Sequence, residues 1–291
     1  MNALQLPAPA KLNLFLHVVG RRADGYHLLE SVFQLLDVGD SLAIRVRADG
    51  VIRRLTDLPG VPEEADLVVR AARLLQAETG TGLGAEIAVD KRVPLGGGLG
   101  GGSSDAATTL LALNRLWDAG LSRAQLARIG LALGADVPFF IFGRNAFARG
   151  IGEDLLAVTL PERWYAVAVP PVAVPTARIF GAPELTRNSK SVKIADFSSG
   201  AWSFPGPQFR NDLEPVACAQ FEQVARTLDW LRGFDARAVV SARMSGSGAS
   251  VFAGFASQQG AAEVIAGLPA GCRGFVARGI ASHPLAGCAR D

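Results

Sequence analysis

Cysteine is scarce in this 291-residue chain: Cys218, Cys272 and Cys288 are odd in number, far apart and in no Cys-x-x-Cys pair. That argues against a disulfide framework or a structural zinc and fits a reducing compartment. Charge of one sign is not in excess either. Twenty-nine Lys and Arg against 27 Asp and Glu leave +2, evenly spread, so neither nucleic acid nor an anionic membrane is expected as the main partner. Long apolar runs are missing. The longest charge-free stretch, residues 244–262, has ten Gly, Ser or Gln among its 19 residues and cannot pass as a membrane span. The N-terminus shows no basic flank, apolar core and small-residue cleavage site, so no signal peptide is expected. With 49% hydrophobic and 19% charged residues, the remaining reading is an ordered, cytoplasmic globular protein of about two domains.

Residues 11–18 alternate, Leu12, Leu14, Leu16 and Val18 against Lys11, Asn13, Phe15 and His17, which predicts a strand. A second strand is expected around Leu42, Ile44 and Val46, and a helix from Asp66 to a stop at Gly80. Residues 85–90 read as a strand and residues 107–117 as a helix. Ser122 and Gln125 form a capping-box pattern for another helix. Pro138 biases Val137 toward an extended conformation, making residues 135–138 a turn into the apolar run 139–142. A domain boundary is expected near residues 150–152. Beyond it come a strand at 164–169, an irregular segment at 183–209 with Arg187, Lys190, Lys193 and Trp202, and a helix at 216–231. Strands at 239–244 and 250–255, a helix at 258–268 and a strand at 274–278 complete the chain. Interleaved elements without a βαβ repeat give an α+β class.

Six of the nine residues 96–104 are glycine, between a strand and an amphipathic helix. Glycine lets backbone approach a ligand, and the free amides at a helix start attract anions, so this is a candidate phosphate cradle. A Walker A loop would end in Gly-Lys-Ser/Thr, yet Gly102 is followed by Ser103 and Ser104. The dinucleotide pattern Gly96-x-Gly98-x-x-Gly101 is met, but no second strand ending in an acid follows Trp117 and Asp118.

Pro94-Leu95-Gly96-Gly97-Gly98-Leu99-Gly100-Gly101-Gly102-Ser103-Ser104 resembles the ATP loop of the galactokinase, homoserine, mevalonate and phosphomevalonate kinase (GHMP) superfamily. Met244-Ser245-Gly246-Ser247-Gly248 is similar to its third, glycine-containing motif. Three further strings, at residues 9–14, 22–27 and 133–138, are similar to the members that phosphorylate cytidine-diphosphate-linked methylerythritol in the non-mevalonate isoprenoid route. The resemblance runs over nearly the whole chain and is least even at 183–207.

It implies a two-domain α+β fold with an ATP-binding domain at 1–150, an acceptor domain at 151–291 and the active site in the cleft between them. The implied reaction moves the γ-phosphoryl of ATP to a hydroxyl, which rests on positioning and charge stabilisation. The resemblance makes Asp136 the proton acceptor and Lys11 the cation that pairs with it and steadies the phosphoryl group. Read from the residues alone, Asp136 serves equally as an N-cap or Asx turn, and Lys11 as an edge-strand guard. Tyr26 and His27 offer a flat ring and a directional one, suited to a base; by resemblance they hold the cytidine moiety. Asn13, Gly246, Ser247 and Gly248 are expected at the acceptor. Ser103 and Ser104 suit helix capping, phosphate contact or Mg²⁺ ligation alike. No His/Cys/Asp/Glu cluster has ligand spacing, so Mg²⁺ is expected on the ATP phosphates. Lys91 and Arg92 read as solvated, the cysteines as buried, and Asn211 and Asp212 carry no assigned role. The alternatives are a GHMP kinase for homoserine or mevalonate, which leaves the string at 22–27 unexplained, and a non-catalytic nucleotide sensor, which has no need of both Lys11 and Asp136.

Overall fold

A computed structural model describes residues 4–192 and 209–291; Lys193 and Trp202 lie outside the described residues. Two long antiparallel strands, β1 (Leu4–Arg21) and β2 (His27–Arg47), form its spine. In chain order follow β3 (Ile52–Arg54), α1 (Leu67–Thr79), β4 (Gly84–Asp90), α2 (Gly101–Leu116), α3 (Arg123–Leu131), α4 (Val137–Phe142), β5 (Ala146–Arg149) and β6 (Asp154–Ala157). The remainder holds β7 (Trp164–Val169), α5 (Thr176–Gly181), α6 (Glu214–Gln220), α7 (Glu222–Arg232), β8 (Val240–Met244), β9 (Val251–Phe255), α8 (Gln258–Ala266) and β10 (Arg273–Ile280). The described strands join in the order β3-β4-β2-β10-β7-β9-β8, with β1 and β5 branching from β2 and β6 pairing with β5.

The alternation expected over residues 11–18 breaks. Register shifts between Pro9 and Lys11 and between Asn13 and Leu16 put Leu14 and Phe15 in one apolar cluster and Leu16 and Val18 in another. Bulges change the phase of a strand, and here both faces are buried, so either phase finds a core.

Local signals fix the helix ends well. Asp66 caps α1 by accepting from Val68 N at 3.0 Å, and Gly80 ends it in the left-handed region. The capping box of Ser122 and Gln125 is present at α3. Val137 is helical rather than extended: it and Pro138 occupy the first turn of α4, where proline gives up no hydrogen bond. The helix expected at 216–231 is two, α6 and α7, parted by an extended Phe221 whose ring lies 5.0 Å from the Arg178 guanidinium. The three cysteines are half-buried rather than buried.

One apolar cluster packs α1 to α4 on the first sheet strands, and another packs α6 to α8 on the last ones. A third, with Leu12, Val32, Leu36, Tyr165, Val167 and Phe252, draws on both sides of residue 150. β1 therefore reaches from one helical layer to the other, and it delivers Lys11 and Asn13 to the middle.

Candidate active site

The glycine-rich segment leaves β4 and turns into α2. Gly100, left-handed at φ 72°, is the N-cap, so Ser103 and Ser104 lie inside the first turn and neither caps the helix. The first intrahelical bond runs from Ser104 N to Gly100 O. Among the described residues no N–H from Gly96 to Ser103 meets an acceptor. The carbonyls behind them are engaged: Gly97 O by Ser250 N, Gly98 O by Ser245 Oγ and Leu99 O by Lys11 N, at 2.9–3.1 Å. What the segment has left is a run of amide donors at the positive end of a helix, the chemistry of an anion site. Two glycines are obligatory by space. A Cβ on Gly98 would sit 2.1 Å from Ser245 O, and one on Gly100 would sit 2.9 Å from Phe140.

Beneath the loop, Lys91 is held by two aspartates rather than by solvent. Its ammonium donates to Asp40 and, at 2.7 Å, to Asp105. Burial pulls Lys91 down, but Asp105 and Asp40 outweigh it and raise it. Asp105 is pushed up to about 7, by burial first, with Lys91 opposing and Asp40 reinforcing. Asp40 also accepts from the N–H groups of Arg92 and Val93 at 2.6 and 2.7 Å, fixing the entry to the loop. Arg92 is exposed and pairs with Asp90, as a solvated residue should.

Lys11 is 3% exposed, which removes the edge-strand reading. Its ammonium donates to Asn13 Oδ1, stands 3.4 Å from Asp136 Oδ2 and lies 5.2 Å from the centre of the Phe33 ring. Asn13 Nδ2 donates to Ser31 Oγ at 2.8 Å, and Ser31 to Phe15 O, so the amide is oriented from behind. Asp136 stands at the start of α4 without capping it and is about a third exposed. Phe140, three residues into that helix, packs on Gly100, so the same contact sets the distance between Asp136 and the amide loop.

Tyr26 and His27 follow the turn between β1 and β2, closed by Asp24 accepting from Tyr26 N at 3.2 Å. Tyr26 is 60% exposed. The His27 ring lies 5.0 Å from that of Phe180 on α5, and Arg187 Nε donates to His27 Nε2 at 3.1 Å. Burial, then the charges of Arg187 and Arg21, lower the His27 pKa. Phe180 and Arg187 were not singled out as site residues from the sequence, because nothing local to α5 or to the segment after it marks them.

Gly246 and Gly248, at φ 56° and 91°, shape the loop joining β8 to β9. Asn211 braces it, with Nδ2 donating to Met244 O and Gly246 O at 2.8 Å and Oδ1 accepting from Leu213 N. Asp212 accepts from Val18 N at 2.8 Å and from Ser189 Oγ. Ser245 ties three motifs together, donating to Gly98 O and accepting from Asn13 N at 3.2 Å.

These parts line one cavity of about 710 Å³, a size suited to a small ligand. Lys11, Asn13, Tyr26, His27, Gly96, Gly98, Gly100, Ser103, Asp136, Gly246 and Ser247 line it, and so do Phe33, Thr176 and Phe180. Pro94, Leu95, Gly97, Leu99, Gly101, Gly102, Ser104 and Gly248 do not; Leu99 and Ser104 are buried, while Leu95 faces solvent.

The family description "GHMP kinases N terminal domain" matches residues 66–144, and "GHMP kinases C terminal" matches residues 203–274. The chain is 57% identical over 281 residues to a 4-diphosphocytidyl-2-C-methyl-D-erythritol kinase of Aromatoleum aromaticum, covering 97% of this chain and 95% of that one. A solved 4-(cytidine 5'-diphospho)-2C-methyl-D-erythritol kinase superposes with a TM-score of 0.80 at 33% identity, over 95% of this chain and 100% of the other. A homoserine kinase from Cytophaga hutchinsonii superposes with a TM-score of 0.73 at 20% identity, over 97% and 96%, a likeness of fold alone.

Proposed function

The chain belongs to the 4-diphosphocytidyl-2-C-methyl-D-erythritol kinase family of GHMP kinases, and from that premise we propose that it transfers the γ-phosphoryl of ATP to a hydroxyl of that cytidine-linked alcohol, a step of the non-mevalonate isoprenoid route. The observation that carries the reading is that a run of unbonded amides, a buried ammonium paired with a carboxylate, and an aromatic corner all open on one cavity.

The amides of Gly96, Gly98, Gly100 and Ser103, which line the cavity, receive the phosphate chain and hold it still. Asp136 takes the proton of the acceptor hydroxyl as its oxygen bonds to phosphorus and the ADP oxygen departs. Lys11 has three N–H groups; Asn13 and Asp136 orient two, leaving the third for a phosphoryl oxygen. Positioning dominates such a reaction, with an effect on the order of 7–11 kcal/mol. Tyr26, His27 and Phe180 hold the base, and Asn13, Gly246 and Ser247 border the alcohol, while Gly248 shapes their loop without lining the cavity. Residues 1–150 furnish the ATP side and residues 151–291 complete the acceptor side. When bound, Mg²⁺ neutralises phosphate charge. The ion would be carried by the ATP phosphates, with Ser103 and Asp136 as the protein groups at the cavity.

A coupled ADP-release assay tests this with 4-diphosphocytidyl-2-C-methyl-D-erythritol, homoserine and mevalonate as acceptors. Turnover is expected with the first alone. ADP release with homoserine or mevalonate but not with the cytidine compound would overturn the reading.

A further inference from the structure

The hydrogen-bonding sense of His27 is set by its neighbours. A neutral imidazole carries its proton on one nitrogen and leaves the other bare, and the partner at one nitrogen decides the state of the other. At His27 that partner is Arg187, whose Nε stands 3.1 Å from Nε2. A guanidinium has donors only and stays charged. Nε2 must therefore be bare, and the ring proton sits on Nδ1.

Arg187 is not free to adjust. Its terminal nitrogens donate to Phe180 O at 3.1 Å, Ala182 O at 2.7 Å and Leu185 O at 3.0 Å, the segment that also presents the Phe180 ring to His27. Burial and the cations Arg187 and Arg21 disfavour a second proton on the ring. Nδ1 has no partner among the described residues, and His27 lines the cavity beside Tyr26 and Phe180. The base side of the cavity thus offers an N–H donor of fixed sense.

We propose that Arg187 is a positioning residue that locks His27 as its Nδ1–H tautomer and thereby makes the base subsite select cytosine over uracil. This deepens the functional reading above and rests on it. Cytosine presents a bare N3 acceptor, which the Nδ1–H can meet. Uracil presents an N3–H at the same place, and two donors face each other with neither satisfied. An unmade hydrogen bond in a half-enclosed site is worth about ten- to a hundred-fold in affinity. A histidine free to exchange tautomers would meet either base.

Two measurements on the full chain test this. In nitrogen-15 NMR of histidine-labelled protein, His27 Nδ1 is expected in the protonated range and Nε2 in the bare range; a proton on Nε2 overturns the proposal whether or not any variant folds. In steady-state kinetics the uridine counterpart of the substrate is expected to show a KM about ten- to a hundred-fold above that of the cytidine compound. Arg187→Met should shrink that ratio at least several-fold and leave the KM for ATP unchanged. An equal rise in KM for both substrates would mean that Arg187 only staples its segment, and would also overturn it. Absence of ADP release with the cytidine substrate is a different failure, that of the functional reading, and leaves the tautomer measurable.

Discussion

A lysine ammonium at 3% exposure is a costly thing to keep unless its partners answer for the charge. Lys11 has one carboxylate, one amide oxygen and the face of one ring. That set leaves room for the phosphoryl-steadying role proposed for Lys11. Asp136→Asn is expected to lower kcat by about 10²–10⁴-fold, with a much smaller change in the KM for ATP, because the amide loop that holds the nucleotide is untouched. Lys11→Ala should act in the same sense. Unchanged turnover in a folded Asp136→Asn protein would remove that carboxylate from the chemistry. The family resemblance implied that Lys11 pairs with Asp136, and the two stand 3.4 Å apart; it did not imply the Asn13 and Ser31 groups behind that pair. Asp136 by itself was equally an N-cap or an Asx turn; its side chain makes no cap bond at α4 and faces Lys11 at the cavity instead. Ser31 and Phe180 went unremarked and Arg187 was noted without a role, because each acts on a residue distant in the chain, as Arg187 does on His27.

At the scale of elements, the loops are held by groups outside them. The β8–β9 loop hangs on Asn211, which satisfies two of its carbonyls with one buried amide. Asn211→Ala should leave those carbonyls unmatched, at about 1–3 kcal/mol, and let the loop drift, carrying Ser245 away from Gly98. Misplacement of about 1 Å in such a site can cost on the order of a hundred-fold in rate. The expected outcome is therefore a fall in kcat/KM for the acceptor well beyond what the lost stability explains, checked by kinetics beside urea unfolding. A loss of stability with kinetics intact would show that the brace serves the fold alone. The sequence marked Asn211 and Asp212 without a role, for the same reason: their partners lie on β8, on β1 and at Ser189. By contrast α1, α3 and β7 were legible, since their signals are local: a cap, a capping box and a run of β-formers. The bulges in β1 left no such signal, nor did the break at Phe221. Both answer to which core the chain must reach next.

For the molecule as a whole, the sequence implied α+β but not that one sheet would run through it. β10 joins β2 through Gly279 and Ile280 opposite Leu36 and Leu35, a contact that no periodicity announces. The stability of so joined a molecule should respond to pH through its buried titratable groups, and two of them oppose each other. Asp105 is pushed up to about 7 from an ordinary 3.8, so between these values the folded chain keeps a proton that the unfolded chain has released, and stability falls as pH rises. His283, 2% exposed, is pulled down to about 4 from 6.5 by burial and by Arg123. Over that window the unfolded chain binds the extra proton, and stability rises with pH. Each slope approaches about 1.4 kcal/mol per pH unit, with opposite sign, so between about pH 4.5 and 6 the two largely cancel in the natural chain. Asp105→Asn should uncover the histidine and tilt the urea midpoint upward with pH. His283→Asn retains an acceptor for Leu285 N, which His283 Nδ1 now accepts at 3.0 Å, and it should tilt the midpoint downward. Profiles of both variants that run parallel to that of the natural chain would mean that neither group keeps its protonation state through unfolding as its burial demands.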